Sequence, residues 1–127
     1  MPSKRKTGAT ASALPGRAVR GSKSGRPIMA LLDLLGRRWT LRIIWELRAG
    51  PRGFRELRAL CDGMSPSTLS TRIRELEDAG FVDHTPDGDL TLTDVARSAE
   101  PLMLALLEWS NEWAAHMRKK RKTIGRK

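Results

Sequence analysis

The stretch that most constrains the fold of this chain runs from Ser65 to Leu92. Serine is a preferred helix N-cap, and Pro66 suits the first helical position because its missing N–H would have had no intrahelical partner. Leu69, Ile73 and Leu76 follow at spacings of 4 and 3, which predicts a helix with one buried stripe, and Gly80 ends it. Immediately afterwards Phe81-Val82-Asp83-His84-Thr85 and Leu90-Thr91-Leu92 flank Pro86-Asp87-Gly88-Asp89, the signature of a β-hairpin. Few folds accept this order, because the hairpin has to pack beside the helix that precedes it.

The preceding residues supply three shorter helices. Pro27 opens the first, with Ile28, Leu31, Leu32 and Leu35 at helical spacing and Gly36 expected as a left-handed stop. Thr40 is expected to cap the second, which carries Ile43, Ile44 and Leu47 inward, with Trp39 and Trp45 beside them, until Ala49-Gly50-Pro51. The third runs from about Phe54 to Leu60, with Cys61-Asp62-Gly63-Met64 as the turn into the Ser65 helix. After the hairpin, Thr93-Asp94 caps a last helical region that Pro101 divides or kinks. The fold class is mainly α (α+β): a winged helix-turn-helix with a short two-strand wing and a long C-terminal helix. Its expected domain spans residues 26–118. Residues 1–25, basic and almost without large apolar side chains, read as a disordered arm, and 119–127 as a basic tail.

The 127 residues suffice for one domain, and the formal charge of +10 is unevenly placed along them. Residues 1–26 and 116–127 each carry +7 without an acid. Between them, residues 37–74 hold nine arginines against Glu46, Glu56 and Asp62, whereas 75–115 hold Arg97 against ten acids. A domain with one basic half and two basic ends suits a polyanion on one side, double-stranded DNA above all. Charge kept for solubility is the plainer reading. No apolar run is long enough to span a membrane, and the basic N-terminus lacks the apolar region of a secretory signal. A single cysteine excludes an internal disulfide framework and fits the reducing cytoplasm. His84 and His116 stand far apart without thiolate partners, so no metal site is expected. No Ser/His/Asp set or phosphate-cradling glycine loop appears, which argues against an enzyme and gives no cofactor.

Three stretches carry a resemblance to a known family. They are Leu31-Leu32-Asp33-Leu34-Leu35-Gly36-Arg37-Arg38-Trp39-Thr40, Gly53-Phe54-Arg55-Glu56-Leu57-Arg58, and the helix from Ser65 through Ser70-Thr71-Arg72-Ile73-Arg74-Glu75-Leu76-Glu77. With Leu92-Thr93 and Pro101-Leu102 to Trp109, the chain resembles the HxlR family of winged helix-turn-helix regulators over about residues 27–115. The resemblance implies a bacterial DNA-binding homodimer. Many members place a cysteine-proline pair ahead of the first helix, used by some as a redox sensor. Here Arg26-Pro27 stands at that site, and the wing is shorter and more acidic than is usual in the family.

At 100° per residue, the face opposite the Leu69 stripe presents Ser67, Thr71, Arg74 and Asp78, flanked by Thr68 and Arg72. Short hydroxyl side chains let a helix sit deep in the major groove, and arginines take guanine edges or phosphates. Ser67, Thr68, Thr71, Arg72 and Arg74 are therefore the expected base-reading residues. A solvated face, with Arg74 paired to Asp78, is the alternative. Arg37, Arg38, Arg42, Arg52, Arg55 and Arg58, with Ser65, are the expected phosphate contacts, some of which will be ordinary surface charges.

In the last helix Val95, Ala99, Leu102, Leu106, Trp109, Trp113 and Met117 follow the spacing of a coiled-coil seam. Leu102, Leu106, Trp109 and Trp113, with Ile28 and Leu31, are the expected homodimer interface, unless a monomer folds them inward. A ligand pocket among the aromatic residues has no sequence support, and any small-molecule effector is unspecified. Cys61 reads as a small buried hydrophobe, with a thiol activated by nearby arginines as the alternative. Three functions stay open: a sequence-specific transcription regulator, an architectural DNA-coating protein, and a winged-helix protein-interaction module.

Overall fold

The computed structural model describes residues 13–125, which fall into two compact units divided between Arg97 and Ser98. The first unit contains α1 (Pro27–Leu35), α2 (Thr40–Leu47), α3 (Phe54–Leu60), α4 (Pro66–Asp78), β1 (Val82–His84), β2 (Leu90–Leu92) and α5 (Asp94–Arg97). The second is essentially α6 (Glu100–Gly125). Pro101 thus stands in the first turn of α6, where it has no helical hydrogen bond to lose.

The core of the first unit forms where the stripes of four helices meet. Leu34, Ile43, Leu47, Leu57, Leu69 and Leu76 are all at most 2% exposed, and Val82, Leu90 and Leu92 extend this core into the hairpin. Ser65 caps α4 as its sequence requires, accepting a hydrogen bond from the Thr68 N–H at 3.1 Å. At the other end the Gly80 N–H donates to the Glu77 carbonyl and the Phe81 N–H to the Leu76 carbonyl, at 3.0 and 2.9 Å. That 5→2 and 6→1 pair is a Schellman stop, and Gly80 takes the left-handed conformation it demands, with φ +81°.

The wing pairs β1 and β2 antiparallel, with Val82 opposite Leu92 and His84 opposite Leu90. Gly88 donates to the Thr85 carbonyl at 2.8 Å to close the turn. A third backbone segment, not anticipated from the sequence, joins this sheet. Arg52 exchanges two hydrogen bonds with Leu90, at 3.0 and 2.8 Å, in an antiparallel bridge. The Thr93 hydroxyl donates to the Gly80 carbonyl at 2.6 Å and accepts from the Ala96 N–H, so it ties the root of the wing and caps α5.

Three expectations are corrected. Gly36 is not left-handed: its φ is −79°, and its small size matters because a Cβ there would lie 2.9 Å from the Leu32 carbonyl oxygen. The left-handed residue is Trp39, with φ 80°, at the N-cap of α2. Thr40 accordingly lies within α2, with its side chain buried, and does not cap it. Second, residues 14–25 are not a featureless arm. Gly16 donates to the Gly25 carbonyl, Val19 and Ser22 form a bridge, and the Ser22 hydroxyl accepts from the Gly25 and Arg26 N–H groups. These bonds need no apolar side chains, which is why hydrophobic patterning passed them over. The part of the expected arm in residues 1–12 lies outside the described residues. Third, the expected basic tail is helical through Gly125, and its last residues, 126–127, lie outside the description.

The Schellman stop makes a simple forecast. Gly80→Ala should lower unfolding stability by roughly 1–2 kcal/mol, the cost of a Cβ in left-handed backbone. Nothing within 4 Å crowds the position, so the cost is conformational rather than steric. Gly80→Asn should cost less, and equal losses for the two variants in urea titrations would rule out this account.

Candidate nucleic-acid interface

α4 is seated by its apolar stripe, with Leu69 and Leu76 fully buried and Ile73 nearly so. Its outward face carries Ser67, Arg74 and Asp78 exposed and Thr71 half-buried. At its N-terminus three hydroxyls cluster. The Ser65 hydroxyl donates to Thr68 Oγ1 at 2.8 Å and lies 3.4 Å from the Ser67 hydroxyl. Ser67 of this cluster stands one turn before Thr71 on the open face of α4.

The eight arginines expected at DNA separate into two groups, a division the sequence did not announce. Five have committed guanidinium groups. Arg42 bonds Glu46 at 2.9 Å and the Leu60 carbonyl at 2.6 Å, closing the end of α3. Arg52 bonds the Glu46 carbonyl and the Glu56 carboxylate, both at 2.9 Å. Arg58 holds the Met64 carbonyl at 2.7 Å, bracing the turn into α4. Arg37 lies 2.8 Å from Glu75 and 3.4 Å from Asp33. Arg72, expected beside the reading face, donates instead to the Arg38 carbonyl at 2.8 Å and to Glu75 at 3.1 Å. Its side chain is 21% exposed and turned to the α1–α2 turn. In the second group Arg38, Arg55 and Arg74 are exposed, with Arg38 lying over the Trp39 ring at 5.1 Å.

Sequence reasoning missed Glu75. Its side chain is 4% exposed on a helix whose other inward residues are apolar, and it pairs with two arginines. The available signal was its position three residues after Arg72, where a side-chain ion pair can form on a helix. The hairpin adds acids near α4: Asp83 and Asp87 are exposed, and His84 Nδ1 lies 3.1 Å from Glu77.

In α6, Leu102, Leu106, Trp109 and Trp113 are each more than half exposed. Ile28 on α1 is likewise exposed, while Leu31 is half-buried. Among the described residues no group of three or more acidic, histidine or cysteine side chains is placed to hold a metal ion, and no helix is long and apolar enough to cross a membrane.

A helix seated by one stripe, preceded by a short helix and tight turn and followed by a two-strand wing, defines a winged helix-turn-helix protein. The chain belongs to the HxlR-like helix-turn-helix family, whose model matches residues 34–118. It is 30% identical over 94 residues to the HTH-type transcriptional regulator YybR of Bacillus subtilis, covering 69% of this chain and 75% of the relative. Among solved structures it is similar to quinone-bound YodB from B. subtilis, with 27% identity and a TM-score of 0.64 over 68% of this chain and 96% of that one. The redox regulator HypR in its reduced form gives 26% identity and a TM-score of 0.62 over 73% and 98%. The relatives are named as transcriptional regulators, not as enzymes.

Cys61 sits at the end of α3, fully buried. Burial pushes its thiol up from the ordinary value, and the positive charge of Arg42 offsets only part of that push. The thiolate, the reactive form, is therefore scarce at neutral pH. Alkylation by iodoacetamide at pH 7.5 should be much slower in the native protein than in urea. Equal rates would mean that Cys61 is open to solvent.

Proposed function

We propose that this protein is a cytoplasmic, sequence-specific regulator of transcription that binds double-stranded DNA as a homodimer. The observation that carries the reading is the outward face of α4. Its core stripe is fully engaged, yet the opposite side offers Ser67 and Thr71, short hydroxyls that let the helix approach a groove floor, beside the exposed Arg74, long enough to reach a guanine edge or a phosphate. Ser67, Thr71 and Arg74 are the base-reading set, with Thr68 at its edge, and Arg38 and Arg55 are the free phosphate contacts. Arg37, Arg42, Arg52, Arg58 and Arg72 support the domain through the bonds described above, and Ser65 serves α4 as its cap.

The homodimer reading rests on the apolar seam of α6. Leu102, Leu106, Trp109 and Trp113 expose a large hydrophobic surface that water disfavours, and a second copy covers it symmetrically. Ile28 and Leu31 of α1 are proposed as further dimer contacts, on the first unit. Two solved neighbours are named for quinone binding and for redox regulation, but at the family's cysteine-proline site this chain has Arg26-Pro27. Thiol sensing at that position is therefore not part of the proposal.

Paired titrations on a duplex selected by the protein and on a scrambled duplex, at one salt concentration, test the reading. Thr71→Ala should cut the preference for the selected duplex by roughly 5- to 150-fold, corresponding to the ~1–3 kcal/mol of a good base contact. Arg55→Ala should weaken both duplexes about equally. A wild type without preference would favour an architectural DNA-coating protein instead.

The interface has its own test in sedimentation. The wild type should be dimeric at micromolar concentration, and joint Trp109→Ala and Trp113→Ala replacement should shift it toward monomer, since aromatic side chains at an interface centre dominate its energy. A monomeric wild type sinks the dimer.

A further inference from the structure

The burial of Leu69, Ile73 and Leu76 holds α4 in place but leaves one degree of freedom loosely defined. Apolar burial is non-directional, so a helix seated by a single stripe can roll by some degrees at little cost. Reading a base edge tolerates no such roll, because a hydrogen bond weakens steeply as its angle departs from linear. Something directional has to fix the setting of Ser67 and Thr71 over the groove. Glu75 follows Thr71 by one turn, on the flank of α4 that faces the α1–α2 turn, and it is almost completely buried. Its two carboxylate oxygens are separately engaged: Oε2 lies 2.8 Å from Arg37 Nη1, and Oε1 accepts from Arg72 Nη1 at 3.1 Å. Arg72 then reaches across to the Arg38 carbonyl at 2.8 Å, and Arg37 is held by Asp33 of α1.

We propose that Glu75 is a positioning residue for DNA reading, which sets the roll of α4 through Arg37 and Arg72 without touching DNA itself. This rests on the reading of α4 as the base-contacting helix. Stability alone does not account for a carboxylate there, since a buried ion pair commonly gains little over well-packed apolar residues of similar volume. Direct contact does not account for it either, because a buried carboxylate would repel the phosphates it approached. The turn it grips includes Trp39, whose left-handed backbone costs about 1–2 kcal/mol and persists only where its surroundings hold it. The Arg72 bond to the carbonyl just before Trp39 is one such restraint.

The test is a double-mutant cycle on the selected and scrambled duplexes, with folding of each variant followed by circular dichroism and urea titration. Glu75→Gln keeps the shape and removes the charge. It should lower the preference for the selected duplex roughly tenfold, about 1.4 kcal/mol, while affinity for the scrambled duplex is retained. Adding Thr71→Ala to Glu75→Gln should then cost far less preference than Thr71→Ala costs alone, because the hydroxyl is already misplaced. A merely structural Glu75 would move stability and leave the two effects additive. Full preference in folded Glu75→Gln, equal losses on both duplexes, or additivity with Thr71→Ala would each overturn the proposal. If Glu75→Gln does not fold, Arg72→Met, which leaves the Arg37–Glu75 pair in place, takes its part in the same cycle. Non-additivity with Thr71→Ala supports positioning, and additivity overturns it. A wild type with no preference overturns the reading of α4 and this proposal together. A wild-type preference that Glu75→Gln leaves intact overturns the proposal alone.

Discussion

The burial of the Leu69, Ile73 and Leu76 stripe is the interaction on which the rest of the first unit depends. It places α4 with one face in the core and leaves the other for Ser67, Thr71 and Arg74. The same burial brings the end of α4 to the root of the wing, where Val82, Leu90 and Leu92 continue the apolar layer. The polar bonds at the margins of α4 act on a helix already seated. The Ser65 cap and the Gly80 stop define its length, and the Arg37–Glu75–Arg72 cluster braces its side.

The charges divide in the same spirit. An arginine-rich stretch looks from a distance like a surface made for phosphate, yet Arg42, Arg52 and Arg58 spend much of their hydrogen-bonding capacity on carbonyls that end helices or turns. A guanidinium has several donors in a planar fork and can satisfy a carbonyl and a carboxylate together, which suits a small domain with many exposed helix ends. The open arginine charge within residues 37–74 is correspondingly more focused. Arg38, Arg55 and Arg74 are open there, while Asp83 and Asp87 stand exposed on the wing.

How much of this was legible in the sequence depended on range. The element order, the α4 stripe, the Ser65 cap, the Gly80 stop and the hairpin all follow from residues within a few positions of one another, where sterics and capping act. Trp39 carries no local sign of its left-handed backbone, because the bond at the preceding carbonyl comes from Arg72, in another helix. The bonds of Arg72 were hidden for the same reason: its helical angle places it on the flank of the open face, but its carbonyl partner lies 34 residues away. The turns of residues 14–25 escaped notice because backbone bonds, the Ser22 hydroxyl and the Arg20–Asp33 pair hold them, and none of these leaves an apolar period.

The helical character of residues 119–125 changes what a basic C-terminus can be. Charges on a flexible chain average over many positions and act as a diffuse cloud, whereas a helix displays them every 1.5 Å along its axis and 100° around it. The 26 residues of α6 extend about 39 Å, with Glu100, Glu108 and Glu112 toward one end and Arg118 to Lys122 at the other. The backbone dipole runs the same way, negative at the C-terminus, so these cations sit where the helix itself favours them. The element is a polar rod with a fixed sense, and a ligand or a second copy that meets it meets a direction as well as a charge.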